Sequence, residues 1–267
     1  MTTAGGNGSG GGTWTALGPA DAPAIVFLHG TRTSRAQWTP QLRRLSRTYR
    51  CVAVDLPGHG ARAGETFSLA SAADAVASAI EAAVPAGRAI VVGLSLGGYV
   101  AIETAERFPD RVRGLVLAGC SAEPAGVTAN LMRTLAWILE RVPAGVLRPV
   151  NTAFFRTRYP RAVADPIVAG GFWFAGGAAA LRALVGHRFL GRLGRLWTPV
   201  LIVNGALDPV FGPGGKLWAA ACRSGRVVVI RRAGHLSSLD RPTAFAAQVD
   251  AFARDVATDD QASIERG

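Results

Sequence analysis

Cysteine is scarce in this 267-residue chain, and its few occurrences lie far apart. The three cysteines, Cys51, Cys120 and Cys222, show neither metal-ligand spacing nor the even number expected of a disulfide framework. Cys51 opens an apolar run and Cys120 closes one, which is typical of small core residues. The scarcity argues against a disulfide-rich secreted fold and favours a reducing compartment, so we expect a cytoplasmic protein.

Targeting signals and long hydrophobic runs are also missing. The first residues, MTTAGGNGSGGG, contain neither a basic region nor an apolar stretch, so residues 1–12 are predicted to be a flexible Gly-rich tail and not a signal peptide. One uncharged stretch, Pro166–Leu181, is Gly-rich and flanked by Asp165 and Arg182. It is too short to be predicted as a spanning helix, so no membrane span is expected.

Lysine is nearly absent, and acidic residues are few. Lys216 is the only lysine among 29 basic residues, and 18 acidic residues leave a formal net charge of +11. Such a charge suits an acidic partner (nucleic acid, an anionic membrane surface or an anionic substrate), but it also suits a basic surface without a partner. The arginines are scattered and no nucleic-acid-binding motif is present, which favours the second interpretation. We therefore expect a small-molecule substrate and no nucleic-acid partner.

What the chain does contain is a regular alternation of short apolar runs and helical patterns. This alternation is typical of an α/β fold in which crossover helices flank a mostly parallel central sheet. Because parallel strands are buried on both faces, they are expected to be continuous Val, Ile and Leu runs. Thr13–Leu17 is a candidate edge strand. The six other predicted strands are Ala24–Leu28, Cys51–Val54, Ala89–Val92, Val112–Ala118, Val200–Val203 and Val227–Ile230.

Helical patterns occupy most of the intervals between these runs. The alternation breaks at residues 121–196, which are helical in pattern and rich in Trp and Phe. This segment is predicted to be a helical cap inserted into an α/β core of residues 13–120 and 197–257, with a polar C-terminal tail at 258–267. The predicted core helices are Ser34–Arg47, Leu69–Val84, Leu96–Arg107, Pro213–Cys222 and Thr243–Val256.

The strongest chemical signal is the sequence Gly93-Leu94-Ser95-Leu96-Gly97, a G-x-S-x-G pattern. It follows a predicted strand and opens a predicted helix, which is the context that a nucleophilic serine on this turn requires. The turn is tight enough to strain the serine backbone, and side chains at positions 93 and 97 would collide with neighbouring backbone. It also places the hydroxyl at a helix N-terminus, which favours negative charge. Ser95 is the predicted nucleophile.

A serine nucleophile needs a base and an orienting acid. His235, in AGHL, follows the last predicted strand, and Asp208, in NGALDP, follows the strand before it. Open α/β sheets build their sites on such loops, and the chain order Ser, Asp, His fits. His235 is therefore the predicted general base and Asp208 its orienting acid. His59, in a turn-rich loop, is predicted to be structural, and His187 lies in the predicted cap.

Two other aspartates remain alternatives for the acid. Asp208 stands before Pro209, where an aspartate can simply cap a turn. Asp55 precedes the serine in the chain, which is the wrong order, and Asp240 is close to His235 on its own loop. Both are weaker candidates than Asp208.

The oxyanion of an acyl-transfer reaction needs two backbone N–H donors. One is predicted at Leu96, directly after the nucleophile. The other is predicted at Thr31, in the loop after the first central strand, where Gly30 would let the backbone approach closely. His29 then shapes this loop and is not a second base.

These pieces resemble the α/β-hydrolase superfamily, in the His-Gly branch that contains esterases, enol-lactonases, C–C bond hydrolases, epoxide hydrolases and haloalkane dehalogenases. The resemblance implies a site without cofactor or metal and the same three catalytic residues. Serine at position 95, where dehalogenases and epoxide hydrolases carry aspartate, argues against both. The form GLSLGG is most similar to enol-lactonases and small-ester hydrolases. The matching segments are FLHG (27–30), VDLPGHG (54–60), VVGLSLGGYVA (91–101), FPDRVRGLVLAG (108–119), TPVLIVNGALDPV (198–210) and AGHLSSLDRP (233–242).

The resemblance implies a serine hydrolase that cleaves a carboxylic ester or lactone with an apolar acyl or ring group. The aromatic cap would supply the apolar pocket. Alternatives are C–C bond cleavage, lyase chemistry or perhydrolysis at the same triad, and a non-catalytic receptor with this fold. Whether the chain is a monomer or a homodimer stays open. Four cap arginines are candidates for binding a substrate carboxylate, or are simply solvated: Arg133, Arg156, Arg158 and Arg188.

Overall fold

One sheet of seven strands runs through the computed structural model, which describes residues 12–264. Its order is β1-β3-β2-β4-β5-β6-β7; β1 is antiparallel to β3 and every other pairing is parallel. The predicted fold class, a mostly parallel sheet flanked by helices, is confirmed. Of the predicted tail at residues 1–12, all but Gly12 lies outside the described residues. The strands are β1 Trp14–Leu17, β2 Ala24–Leu28, β3 Arg50–Val54, β4 Ala89–Leu94, β5 Val112–Ala118, β6 Val200–Gly205 and β7 Gly225–Ile230.

The central strands are apolar throughout because both faces of the sheet are covered. In β2, Val26 and Leu28 pack into one core and Ile25 and Phe27 into the other. The helices α2 (Leu69–Ala83), α3 (Leu96–Arg107) and α9 (Gly215–Ala221) cover the first face. The helices α1 (Thr39–Leu45) and α11 (Pro242–Ile264) cover the second. This double cover holds the strand ends, where the predicted site residues lie, in fixed positions.

The predicted helix at Ser34–Arg47 is divided in two. A 3-10 helix at Arg35–Trp38 precedes α1, which begins at Thr39. Pro40 is the cause, because it has no N–H to bond back into the preceding turn. The predicted helix at Pro213–Cys222 is shorter for a related reason: a 3-10 turn containing Pro213 comes before α9.

The C-terminal region differs from the prediction in two ways. An additional short helix, α10 (Ser237–Asp240), follows the loop of His235. The last helix, α11, then continues to Ile264 and passes the predicted start of the polar tail at residue 258. Residues 258–264 contain neither glycine nor proline, the residues that most disfavour a helix, so a polar composition alone does not predict that the helix ends at residue 258.

Five helices lie between β5 and β6, within the segment 121–196, which we call the helical insertion. They pack against the same core as α2 and α3. In the described part of the chain, no single helix is long and apolar enough to cross a membrane; α6 and α7 pass that test only as a pair, and they are bent by 89°. The helices are α4 Gly126–Arg141, α5 Ala144–Arg158, α6 Arg161–Ala169, α7 Phe174–Leu184 and α8 Phe189–Leu193.

Candidate active site

Ser95 stands alone between β4 and α3 in a strained backbone conformation. Its φ of 53° and ψ of −115° lie in a region that residues with a side chain rarely adopt. The Ser95 N–H donates to the Ala118 carbonyl at 2.8 Å, so the turn is tied to the end of β5. A Cβ atom on Gly93 would lie under 3.0 Å from the Gly97 carbonyl, and one on Gly97 equally close to the Leu28 carbonyl. Both glycines are therefore required by the turn.

A Gly97→Ala substitution is expected to destabilise the protein by roughly 1–3 kcal/mol or more, because backbone and not a flexible side chain fills the space. Urea unfolding would measure this loss. Gly64→Ala is the matched control, since a Cβ atom there has no neighbour within 4 Å and φ is not positive. Equal stabilities of the two variants would contradict the tight packing of this turn.

The loop after β2 presents one free backbone donor between two that are occupied. The Gly30 N–H donates to Gln37 Oε1 at 3.1 Å, and the Arg32 N–H donates to His59 Nε2 at 3.3 Å. The Thr31 N–H between them has no acceptor among the described residues. Side-chain acceptors thus occupy the flanking donors and leave that of Thr31 available to a ligand.

The second predicted oxyanion donor has the same property. The Leu96 N–H, in the first turn of α3, has no acceptor in the part of the chain that the structure describes. Thr31, Leu96 and Ser95 line one cavity. Gly30 was expected to let the backbone approach closely. A Cβ atom there would lie 3.5 Å from Gln37 Oε1, an ordinary contact, so the surrounding protein does not require glycine at this position.

Two buried histidines hold the loop after β2 in place. His29 Nδ1–H donates to the Gly30 carbonyl at 2.8 Å, and its Nε2 accepts the Leu56 N–H at 3.0 Å. These partners require the neutral Nδ1–H tautomer, and His59 is held in the same form by a carbonyl and the Arg32 N–H. Burial is the main cause that lowers the pKa of His29 to about 4 and that of His59 to about 3. Both imidazoles are therefore held as neutral groups by backbone partners.

These two histidines make the free energy of unfolding fall more steeply as the pH is lowered. The pKa of each is lower in the folded protein than the ordinary 6.5, so between pH 6.5 and about 4 the unfolded chain binds more protons. The stability that these histidines contribute is therefore fully present above pH 6.5. It is lost as the pH falls, by about 1.4 kcal/mol per pH unit for each histidine. We expect His59→Gln to reduce the slope of unfolding free energy against pH by the contribution of one histidine, about 1.4 kcal/mol per pH unit. The exposed His187→Gln variant keeps both buried imidazoles and should retain the slope; an unchanged slope in His59→Gln would contradict this account.

His235 and Asp208 form a hydrogen-bonded pair on the loops after β7 and β6. His235 Nδ1 lies 3.0 Å from Asp208 Oδ2. Asp208 Oδ1 accepts the N–H groups of Val210 and Phe211 at 3.0 and 3.1 Å. Burial would raise the pKa of Asp208, but the hydrogen bonds from His235 and the two N–H groups outweigh it and lower that pKa. Gly119 leaves room for the imidazole, because a Cβ atom there would lie 3.0 Å from its Nδ1.

The two alternative aspartates are engaged elsewhere. Asp55 forms an ion pair with Arg35 and also accepts its N–H at 2.7 Å. Asp240 accepts the N–H of Gly234 at 2.7 Å, next to His235 in the chain, but makes no hydrogen bond with the imidazole. Asp240 therefore supports the loop that carries His235, a role that sequence reasoning missed.

A cavity of about 600 Å³ lies between the strand ends and the helical insertion. Ser95, Asp208 and His235 all line it, although no hydrogen bond joins Ser95 to His235 in the described structure. In unliganded sites such bonds are often long and tighten only with substrate. The insertion contributes its apolar wall: Leu131, Met132, Leu135, Leu147, Val150, Phe154, Phe155, Phe172, Leu181 and Leu184.

The four cap arginines considered as carboxylate ligands are not among the lining residues. Arg156 and Arg158 form ion pairs with acidic side chains. The lining residues instead include Arg32, from the loop after β2, which sequence reasoning did not single out. In the described residues, no group of three or more His, Cys, Asp or Glu side chains has the arrangement of a metal site.

Curated relatives match the chain over most of its length. The pimeloyl-[acyl-carrier protein] methyl ester esterase of Neisseria meningitidis serogroup B (strain MC58) is 30% identical over 256 residues, which covers 86% of this chain and 92% of that protein. The protein of the same name from Nitrosospira multiformis is 25% identical over 260 residues, covering 88% of this chain and 95% of its own.

Solved structures match the fold. An esterase from Thermogutta terrifontis superposes with a TM-score of 0.75 at 23% identity and covers 91% of this chain and 93% of its own. The enol-lactonase from Burkholderia xenovorans LB400 gives 0.73 at 22% identity, with 90% and 95% covered. Residues 25–248 match the sequence model of the Alpha/beta hydrolase family. That span is most of the chain and includes every predicted site residue, so this protein belongs to the Alpha/beta hydrolase family.

Proposed function

We propose that this protein hydrolyses a carboxylic ester or lactone through a covalent acyl-enzyme on Ser95. One observation carries the proposal: a strained serine, a His235–Asp208 pair and two backbone N–H groups without acceptors line the same cavity. The strained backbone of Ser95 has a structural cost and the two N–H groups are left unpaired, and together with the His235–Asp208 pair they supply what acyl transfer requires.

The first half of the reaction forms the acyl-enzyme. Ser95 Oγ attacks the carbonyl carbon of the substrate, and His235 Nε2 takes the hydroxyl proton. Asp208 holds the proton on Nδ1 and stabilises the imidazolium, for which its lowered pKa keeps it ionised. The C–O bond to the alcohol then breaks as His235 returns the proton to the leaving oxygen.

The second half releases the acid. Water attacks the acyl carbon, His235 takes its proton, and the bond to Ser95 Oγ breaks with return of that proton. In both halves the carbonyl oxygen carries negative charge in the tetrahedral intermediate. The N–H groups of Thr31 and Leu96 are proposed to stabilise this oxyanion, since each has no acceptor among the described residues.

The cavity wall indicates a substrate with an apolar acyl or ring group. Its volume of about 600 Å³ suits a small to medium molecule, and most of its lining side chains are aliphatic or aromatic. Leu131 and Phe154 are about half exposed, at 50% and 46%, while they line the cavity, so apolar surface continues towards solvent. The curated relatives are named as methyl ester esterases, which supports an ester as the bond that is cleaved.

The test is a panel of p-nitrophenyl acyl esters, methyl esters and lactones incubated with the purified protein and with Ser95→Ala. We expect hydrolysis of at least one apolar ester or lactone by the wild type and none above background by the variant. Diketo acids in the same panel test C–C bond cleavage. Turnover of diketo acids alone, or ester turnover that survives Ser95→Ala, would contradict the proposal.

A further inference from the structure

Arg32 is an unpaired cation in a cavity that is lined mostly by apolar side chains. It is the only lysine or arginine among the described lining residues. Its guanidinium makes one hydrogen bond, from Nη1 to Asn151 Oδ1 at 3.2 Å, and no described acidic side chain pairs with it. Its Nε is buried without a hydrogen-bond partner. Burial lowers the pKa of Arg32, which reflects the cost of holding this charge away from water.

The surrounding structure holds Arg32 in this unfavourable position. Its φ of 69° lies in the left-handed region, which a residue with a long side chain rarely adopts. The backbone is fixed on both sides, because its N–H donates to His59 and its carbonyl accepts the Trp173 N–H at 2.8 Å. Strain and an uncompensated charge at one residue are typical of a binding site.

Asn151 orients the guanidinium. It lies in α5 and is only 9% exposed. Its Nδ2 donates to the Leu147 carbonyl at 2.8 Å, which leaves Oδ1 to face Arg32. An amide oxygen fixes the position of the cation without neutralising it, so the positive charge stays available to a ligand.

We propose that the substrate carries a carboxylate, that Arg32 binds it and that Asn151 is a positioning residue. The inference rests on the proposed function and names the substrate class of that same site. Arginine presents parallel N–H donors that match the two oxygens of a carboxylate. One cation balances one carboxylate, whereas a phosphate, with a charge of about −1.5 to −2 at pH 7, would leave excess negative charge in a mostly apolar cavity.

The test compares pairs of esters that share one carbon chain, with its far end either a free carboxylate or a neutral methyl ester. One pair is the mono-p-nitrophenyl ester of adipic acid and its neutral methyl ester; a second pair carries the carboxylate or its methyl ester on the alcohol. A phosphonate-terminated ester is the third arm. In one pair we expect wild-type kcat/KM to favour the carboxylate by about tenfold to a hundredfold, the effect of one hydrogen bond to a charged group.

Substitutions of Arg32 test whether this residue is the source of the preference for the carboxylate. Arg32→Met should bring the carboxylate-to-neutral ratio of kcat/KM close to one, and Arg32→Lys, which keeps the charge, should retain part of it. Arg133→Met is the control, because Arg133 is exposed and outside the cavity, and its ratio should equal that of the wild type. The ratio is insensitive to a general loss of activity. If Arg32→Met does not fold, stronger inhibition of the wild-type protein by hexanoate than by hexanamide tests the same site.

Four results would overturn the proposal in distinguishable ways. Ester turnover with no preference in either pair, and no preference between hexanoate and hexanamide, would contradict the carboxylate site and leave the proposed function standing. An unchanged ratio in Arg32→Met would assign Arg32 a purely structural role. A stronger preference for the phosphonate would contradict the carboxylate. Turnover of no ester and no lactone would contradict the proposed function itself.

Discussion

Replacing Asp208 by Asn is expected to lower ester turnover by about 10⁴-fold while leaving the protein folded. The amide oxygen can still accept the N–H groups of Val210 and Phe211, so the loop keeps its shape. The amide nitrogen would face His235 Nδ1 and favour the tautomer that carries its proton on Nε2. That imidazole cannot accept the hydroxyl proton of Ser95. Steady-state kinetics measure the loss, and circular dichroism verifies the fold.

Asp240→Asn is the matched control for this prediction. Asp240 is nearly as buried as Asp208, at 6% against 2% side-chain exposure, and lies on the same side of the site, yet it binds the Gly234 N–H and not the imidazole. We expect a much smaller loss of turnover. Near-normal activity of Asp208→Asn would move the acid to Asp240, Asp55 or another carboxylate.

Replacing His235 by Ala is expected to lower kcat by about 10⁶-fold, the effect of removing the base from a serine triad. Without this imidazole, no group that is hydrogen-bonded to Asp208 can take the Ser95 proton or return it to the leaving alcohol. The side chain of His235 is 38% exposed, so its loss should cost little stability. Kinetics on the ester that the panel identifies would measure the effect.

His187→Ala is the control, because His187 is exposed in the helical insertion and outside the cavity lining. Its kcat should equal that of the wild type. A loss of less than about 100-fold in His235→Ala, with the fold retained, falls below the usual range for a general base and would contradict the proposed role.

Residues whose role depends on local chain geometry can be predicted from the sequence. Ser95 was identifiable because a strand, a G-x-S-x-G turn and a helix follow one another directly, and each is visible in a short window. Asp208 and His235 were identifiable because both follow buried strands whose ends meet at one edge of a parallel sheet. The fold class can be predicted from local patterns as well, because continuous apolar runs that alternate with helical segments indicate strands buried on both faces by helices.

Residues whose role depends on partners that are distant in the chain cannot be predicted from the sequence. Arg32 is one of many arginines, and only its contact with Asn151, 119 residues away, distinguishes it. Asp240 was considered only as a rival acid, because nothing in the sequence reveals that the Tyr159 hydroxyl donates to it at 2.8 Å and so connects its loop to the helical insertion. The early break before α1 shows a smaller failure, in which Pro40 outweighed an otherwise continuous helical pattern.

The most direct test of the central proposal is labelling with a fluorophosphonate probe. Phosphorus would bond to an activated serine and mimic the tetrahedral centre, with its oxygen between the N–H groups of Thr31 and Leu96. We expect the wild-type protein to be labelled once, at Ser95, as located by peptide mass spectrometry, and Ser95→Ala to remain unlabelled. Folded wild-type protein that stays unlabelled, or that is labelled at another serine such as Ser121 or Ser237, would contradict the account.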